Sequence, residues 1–401
     1  MSPVLEGIRV LDLSQMLAGP LTAMYLADQG ADVVKIESPE GDITRSIYAT
    51  SSLGPNNTFF LAMNRNKRSI VLNLKRPEAR PILQRLVVRS DVLIENTRPR
   101  TAKRLGLDYE TLARINPRLV YASLTGFGDG GPLADRPAYD LIIQARAGIM
   151  GLHHLPDGFP LSAPVNVADC SAPMLLAYGI MLALFARERS GRGQRVSTSL
   201  LSCAIAMQAP HMTRVDDDPA PLNRGPQAVY SPYRCQDGDW LIIVVLSDRE
   251  WPRLCAALGL PHLAGDPAFA TASGRGEHST ELAEIFMGVF ATKPRDEWLR
   301  VLEAADVPCA PINSREDLLK ESQAINNRMI VPFQHPVAGR GVSMGIPLQL
   351  SATPGALRRP APSLGEHTEE VLAEIGLSPE ERAHLRDIGI IPATSSPARK
   401  D

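Results

Sequence analysis

The 401 residues carry 42 basic and 44 acidic side chains, a net charge of −2, with 44% hydrophobic and 21% charged residues. That balance suits a globular chain of two or three domains and argues against a nucleic-acid partner, which would call for a clearly basic surface. Five scattered cysteines (Cys170, Cys203, Cys235, Cys255, Cys309) form no C-x-x-C pair, so neither a disulfide framework nor a zinc cluster is expected, and the usage fits a reducing cytoplasm. No basic segment followed by an apolar run opens the chain. The longest uncharged apolar run, 174–186, falls short of the roughly 20 residues a bilayer requires, so no membrane partner is expected.

Residues 8–13 (IRVLDL) read as a strand, 20–29 as a helix ended by Gly30, and 31–36 (ADVVKI) as a second strand, the spacing of a right-handed βαβ unit. The rhythm continues with strand 69–74, helix 78–89 (Pro81 in its first turn), strand 91–95, helix 109–115 and strand 119–124. The expected fold class is therefore α/β, with a doubly wound parallel sheet. Ligands in such sheets sit beyond the carboxyl ends of the strands, here the loops 14–19, 37–41, 75–77, 96–100 and 125–132. Loop 126–132 (GFGDGGP) lacks G-x-G-x-x-G spacing and no acidic ribose partner can be identified, so a nicotinamide cofactor is not expected. It reads as a turn whose backbone packs close to a neighbour or a ligand.

Residues 166–186 (NVADCSAPMLLAYGIMLALFA) read as a long apolar helix, with Ser171 at its N-cap, Pro173 in the first turn and Asp169 just outside the start. Without a charge from 174 to 186, most of this helix is expected to be buried. Asp169 would lie beside the orphan N–H groups and the positive end of the helix dipole, which would keep it ionised while its neighbours exclude water. Such a carboxylate can attack an activated acyl group. On spacing alone, capping is the commoner role for an aspartate there.

A basic glycine-rich turn (187–195), a short strand (194–197) and a helix (200–209) follow, and 216–225 (DDDPAPLNRG) reads as a linker. A hairpin pairing 233–235 with 240–245 around an Asp-Gly turn, then helices at 250–258, 280–290 and 295–304, suggest a smaller α+β domain over 226–325. Short strands are expected in 331–350 and helices at 363–375 and 378–388, the last opened by a Ser378/Glu381 capping box.

Gly341-Val342-Ser343-Met344-Gly345 matches a nucleophile elbow in letters, but Pro347 and a strand-like segment follow where a helix is required. Adjacent His153 and His154 point different ways and find no metal-ligand spacing, so no metal is expected. Lys75, Arg98, Arg100, Lys103 and Arg104 cluster near strand ends, where a phosphate-rich ligand would be clamped.

The stretches LEGIRVLDLS, GADVVKIESP, NKRSIVLNLK, SDVLIEN, INPRLVYASLTGFG, Ala168-Asp169, SGRGQRV, DVPCAPI and LGEHTEEVL occur in an order that resembles the class III CoA-transferases, the carnitine- and formyl-CoA-transferase family, over essentially the full length. The resemblance places the family's catalytic aspartate on Asp169. It implies a large domain made from 1–215 with a return segment 326–401, a small domain at 226–325, and two copies interlocked like linked rings. Coenzyme A, as an acyl-CoA substrate, would run past Leu17, Ala18, Leu72, Asn73, Leu74, Lys75, Asn96, Thr97, Arg98, Arg104, Ala138, Tyr139 and Asp140, with Lys75 and Arg104 at its phosphates. The family can have a basic residue where this chain has Ser38 and a glutamine where it has Leu17, which weakens the transfer at those two positions.

The implied reaction passes CoA from an acyl-CoA to a small carboxylic acid through acyl-anhydride and aspartyl-CoA forms of Asp169. Related α-methylacyl-CoA racemases place a histidine before an aspartate where this chain has Tyr139-Asp140, and tyrosine is a poor second base. A catalytically silent acyl-CoA binder would have no need of Asp169. Succinyl-CoA with a short dicarboxylic acceptor is the expected pair, because 226–262 has no long glycine tract of the formyl-CoA/oxalate kind. Arg224, His153 and His154 are candidates for a second carboxylate.

Overall fold

The computed structural model describes residues 2–50, 52–213 and 227–392. Its central feature is a six-stranded parallel sheet built from β1 (Arg9–Asp12), β2 (Asp32–Glu37), β3 (Lys67–Val71), β4 (Val92–Glu95), β5 (Val120–Thr125) and β6 (Arg195–Ser199). The strand order is β3-β2-β1-β4-β5-β6, so the winding reverses between β1 and β4. Val10 faces Val33 in β2 and Val92 in β4, which fixes the register at that reversal.

A parallel sheet covered on both faces demands apolar side chains in both directions, which is why the strands read as runs rather than alternations. Val10, Val33, Val92, Ile94 and Ala122 point into one core, covered by helices Ala18–Asp28, Val167–Ser190 and Leu200–Ala206. Leu11, Val34, Ile70, Leu93 and Tyr121 point into the other, covered by Arg80–Val88, Tyr109–Ile115 and, from the far end of the chain, Thr368–Glu374 and Pro379–Asp387. Ser378 and Glu381 form the capping box that opens the last of these.

The chain separates into two compact units, Met1–Met212 with Asn326–Asp401, and Thr213–Ile325. The second unit has a three-stranded antiparallel sheet of β7 (Tyr230–Arg234), β8 (Trp240–Val244) and β9 (Cys309–Pro311). Its core gathers Tyr233, Trp251, Phe286, Phe290 and Trp298. The hairpin begins three residues before the expected 233, with Arg234 opposite Trp240, and β9 was not anticipated. The linker at 216–225 and Arg224 lie outside the described residues.

Two expectations are corrected. The Val167–Ser190 helix starts four residues before Ser171, whose hydroxyl bonds the Ala168 carbonyl instead of capping, and Asp169 sits inside the first turn. The helix is also not mostly buried: Met174, Leu175, Tyr178, Leu182 and Phe185 are exposed, while Ala168, Ala172, Leu176, Ile180 and Ala183 face the core. At 24 residues it is long and apolar enough to cross a membrane, but its inner face belongs to the core of the sheet. Ser343 lies in strand β11 (Gly339–Met344), paired to β10 (Ile330–His335), with no helix after it, which disposes of the nucleophile elbow.

Candidate active site

The reversal of strand order leaves a crevice between the loop after β1 and the loop after β4. The two loops are tied together by one side chain: the Asn96 carboxamide accepts the Gln15 N–H at 2.9 Å and donates to the Gln15 carbonyl at 2.8 Å. From this junction opens a cavity of about 380 Å³ whose walls include Asp169 together with Ala18, Asn96, Thr97, Arg98, Ala138 and Tyr139. Helix Ala18–Asp28 begins at this wall, and no side chain caps its first N–H groups, those of Ala18 and Gly19, Pro20 having none.

Gly126, at the end of β5, lets Ala138 approach: a Cβ on it would stand 2.1 Å from the Ala138 Cβ. The expected close packing of the glycine-rich loop thus has a protein partner, and it fixes the segment that carries Tyr139. The Tyr139 side chain is 60% exposed at the cavity rim.

Asp140 lies beneath, 5% exposed. Its Oδ1 accepts the backbone N–H groups of Ala168 at 2.8 Å and Asp169 at 3.1 Å, and its Oδ2 accepts the Gln144 amide at 2.5 Å. The Asn166 side chain makes no cap. A carboxylate from another helix therefore caps the turn that bears Asp169, and Gln144 holds that carboxylate while its own Oε1 accepts Ala163 N–H at 2.9 Å.

Asp169 is half-buried. Burial, and then the charge of Asp140, pushes its carboxyl up to about 7. The expectation that the helix start would keep it ionised is therefore corrected: burial and the like charge of Asp140 raise the carboxyl. Near neutrality it exchanges between a neutral acid and a carboxylate more basic, and so more nucleophilic, than a free aspartate.

The other residues named from sequence are spread more widely. Leu17 is buried and faces a second, largely apolar cavity of about 750 Å³ that also reaches Cys170, Phe59 and Met344. Leu72 is 1% exposed, its side chain part of the core and its backbone N–H and carbonyl bonded to Glu37 and Leu74, so it does not reach a ligand here. Asn73 and Leu74 are partly buried and Lys75 is exposed. Arg104 is exposed in the last turn of Pro99–Leu105. His153 and His154 are exposed in a loop, and among the described residues no group of three or more His, Cys, Asp or Glu is gathered for a metal.

Sequence reasoning missed Gln144, whose i,i+4 spacing from Asp140 was the available signal. It also missed Met16, a cavity-lining residue with φ of +69° that carries no glycine or asparagine signature.

The family model described as CoA-transferase family III matches residues 5–368. The chain is 38% identical to a succinate–glutarate CoA-transferase of Agrobacterium fabrum, over 93% of this chain and 96% of that one. It is 36% identical to a formyl-CoA:oxalate CoA-transferase of Streptomyces avermitilis, over 98% and 100%. Among solved structures, a CAIB/BAIF family protein from Brucella suis superposes with a TM-score of 0.82 at 34% identity, covering 94% of this chain and 100% of that one.

Proposed function

The chain belongs to CoA-transferase family III and is a CoA-transferase; from that premise we propose that Asp169 is its covalent nucleophile and that it exchanges CoA between succinate and a short dicarboxylic acid. The observation that carries this reading is the placement of Asp169 in one cavity with an uncapped helix start, its carboxyl raised to about 7. An Asp169 carboxylate oxygen attacks the thioester carbonyl, the C–S bond breaks, and a mixed anhydride and CoA thiolate result. The thiolate attacks the aspartyl carbonyl, releasing the donor carboxylate and leaving an aspartyl-CoA thioester. The acceptor carboxylate displaces the thiolate, forming a second anhydride, and the thiolate then takes the acceptor's acyl group. Asp169 returns as a carboxylate, and no proton is consumed.

Each addition develops negative charge on a carbonyl oxygen. The uncapped N–H groups at the start of Ala18–Asp28 would receive it. Asn96, Thr97, Ala138 and Tyr139 line the path of the CoA arm, and the exposed cations Lys75, Arg98 and Arg104 suit its phosphates. Both carboxylate oxygens of Asp140 are engaged by N–H groups, which suits an anchoring role better than that of a second proton-transfer base. The succinyl assignment draws on the succinate–glutarate relative. We further propose that two copies assemble through the exposed apolar face of the Val167–Ser190 helix.

The test is to incubate the protein with succinyl-CoA and hydroxylamine, with glutarate omitted. A hydroxamate on the Asp169 peptide with parallel loss of exchange activity supports the reading. Turnover of succinyl-CoA with glutarate by Asp169→Ala at the wild-type rate overturns it.

A further inference from the structure

Two carboxylates and two ammonium groups lie together in the interior of the large unit: Asp12, Asp42, Lys35 and Lys67, each no more than 1% exposed. Lys67 Nζ meets Asp12 Oδ2 at 2.8 Å, and Lys35 Nζ meets Asp42 Oδ2 at 3.0 Å and Asp12 Oδ2 at 3.9 Å. The quartet is neutral, yet burying four charges is costly, and apolar side chains of similar volume would often serve stability as well or better. Its remaining hydrogen bonds show what it holds. Asp12 Oδ1 accepts Ser14 N–H at 3.0 Å, Lys35 donates to the Ser14 carbonyl at 2.8 Å, and Asp42 Oδ1 accepts Met16 N–H at 3.3 Å. Lys67 donates to the Pro20 carbonyl, in the first turn of Ala18–Asp28, at 2.8 Å.

The segment so held is the one that leads into the uncapped helix start. Met16 lies in the left-handed region, φ +69°, which a residue with a Cβ adopts only when its surroundings over-determine it. Gln15 on one side is fixed by Asn96, and Gln15 and Met16 both line the Asp169 cavity. Of the quartet, it is Asp42 that hydrogen-bonds Met16 itself. Its Oδ1 is in turn fixed by Thr44, whose N–H and hydroxyl both donate to it, at 3.0 and 2.9 Å.

We infer that Asp42 is a positioning residue for CoA transfer: anchored by Lys35 and Thr44, it holds Met16 in its left-handed conformation and so aims the first N–H groups of Ala18–Asp28 at the reacting carbonyl. The inference rests on the reading of Asp169 and that helix start given above. It predicts a loss in the chemical step with little change in binding, because the hydrogen bonds of Asp42 go to Met16, Glu37 and Thr44 rather than to the cavity residues Thr97, Arg98, Ala138 or Tyr139.

Exchange between succinyl-CoA and glutarate tests it. Asp42→Ala is expected to lower kcat about 10- to 100-fold, the cost of misplacing a catalytic group by about an ångström, with KM for succinyl-CoA within about twofold. Adding Met16→Gly, which removes the cost of the left-handed conformation, is expected to restore at least about tenfold of that loss. Should Asp42→Ala not fold, Met16→Val strains the same residue without touching the buried charges, and is expected to give the same split between kcat and KM. An unchanged kcat in the folded variant, a KM that rises in step with the loss, or no recovery with Met16→Gly overturns the inference. Hydroxylamine trapping separates the two readings. If wild-type protein turns over without a trapped Asp169, the nucleophile assignment fails. If wild type is trapped and Asp42→Ala is trapped equally fast, only the role of Asp42 fails.

Discussion

Asp140 Oδ1 accepts the backbone N–H of Asp169 at 3.1 Å, so one buried acid anchors another and at the same time makes it harder to ionise. The two effects separate by substitution. Asp140→Asn keeps an acceptor for the helix start and removes the charge, so the acid limb of kcat/KM should move to lower pH. It also turns an amide N–H₂ towards the Gln144 amide, whose other end is committed to Ala163 N–H. A stability loss of about 1 kcal/mol is expected from that mismatch. Asp140→Ala removes the cap altogether and should cost about 0.5–2 kcal/mol in urea unfolding.

The raised carboxyl of Asp169 gives the pH profile its sign. Only the ionised form attacks a thioester, so kcat/KM for succinyl-CoA should fall as pH drops through about 7. Stability runs the other way. The folded chain binds the Asp169 proton more tightly than the unfolded chain, so this group's contribution is full below the unfolded pKa, near the ordinary aspartate value of 3.8, and is lost as pH rises to about 7. Asp169→Asn should therefore abolish exchange and flatten that part of the stability curve. A pH–rate profile and urea melts between pH 4 and 8 check both, and an acid limb near an ordinary aspartate value would contradict the assignment.

Gly126 is a packing requirement with a catalytic consequence. In Gly126→Ala the new methyl meets Ala138 at 2.1 Å, and the segment bearing Tyr139 and Asp140 must shift. Overpacking of this kind costs about 1–3 kcal/mol, so a lowered Tm and a lowered kcat/KM for succinyl-CoA are expected together. Ala138→Gly in the same chain removes the opposing methyl and should recover most of both, measured by calorimetry and initial rates.

The sheet was legible because its strands are covered on both faces: RVLD and DVVKIE place apolar residues at consecutive positions, Val10-Leu11 and Val33-Val34, one for each side of the sheet. The start of the Val167–Ser190 helix was not legible, because its cap arrives from Asp140 across 28 residues, a tertiary contact that local spacing does not encode. Its outer face was misjudged for a related reason. Apolar composition says that a surface is to be covered, not that the same chain covers it. Met16 is hidden for the opposite reason: a left-handed residue is usually announced by glycine or asparagine, and here buried charges impose the conformation instead. Asp169, Ala18, Asn96 and Ala138 were named through resemblance, and periodicity alone would have left Asp169 a capping residue.

The exposed stripe on the Val167–Ser190 helix supplies a further test. Met174, Leu175, Tyr178, Leu182 and Phe185 recur at helical spacing, and Tyr178 and Phe185 are 62% and 60% exposed. A stripe of that length on the helix that carries Asp169 would be costly to leave in water, at about 25 cal/mol per Å² of apolar surface. If a second copy covers it, Tyr178→Asp with Phe185→Asp places two charges in an apolar interface, and light scattering should show the dimer giving way to monomer at micromolar concentration. Because the inner face of the helix is untouched, the monomer should keep its far-ultraviolet circular dichroism. Exchange activity should fall with the dimer fraction if the site is completed at the junction. A dimer of unchanged stability in the double variant would remove this face from the interface.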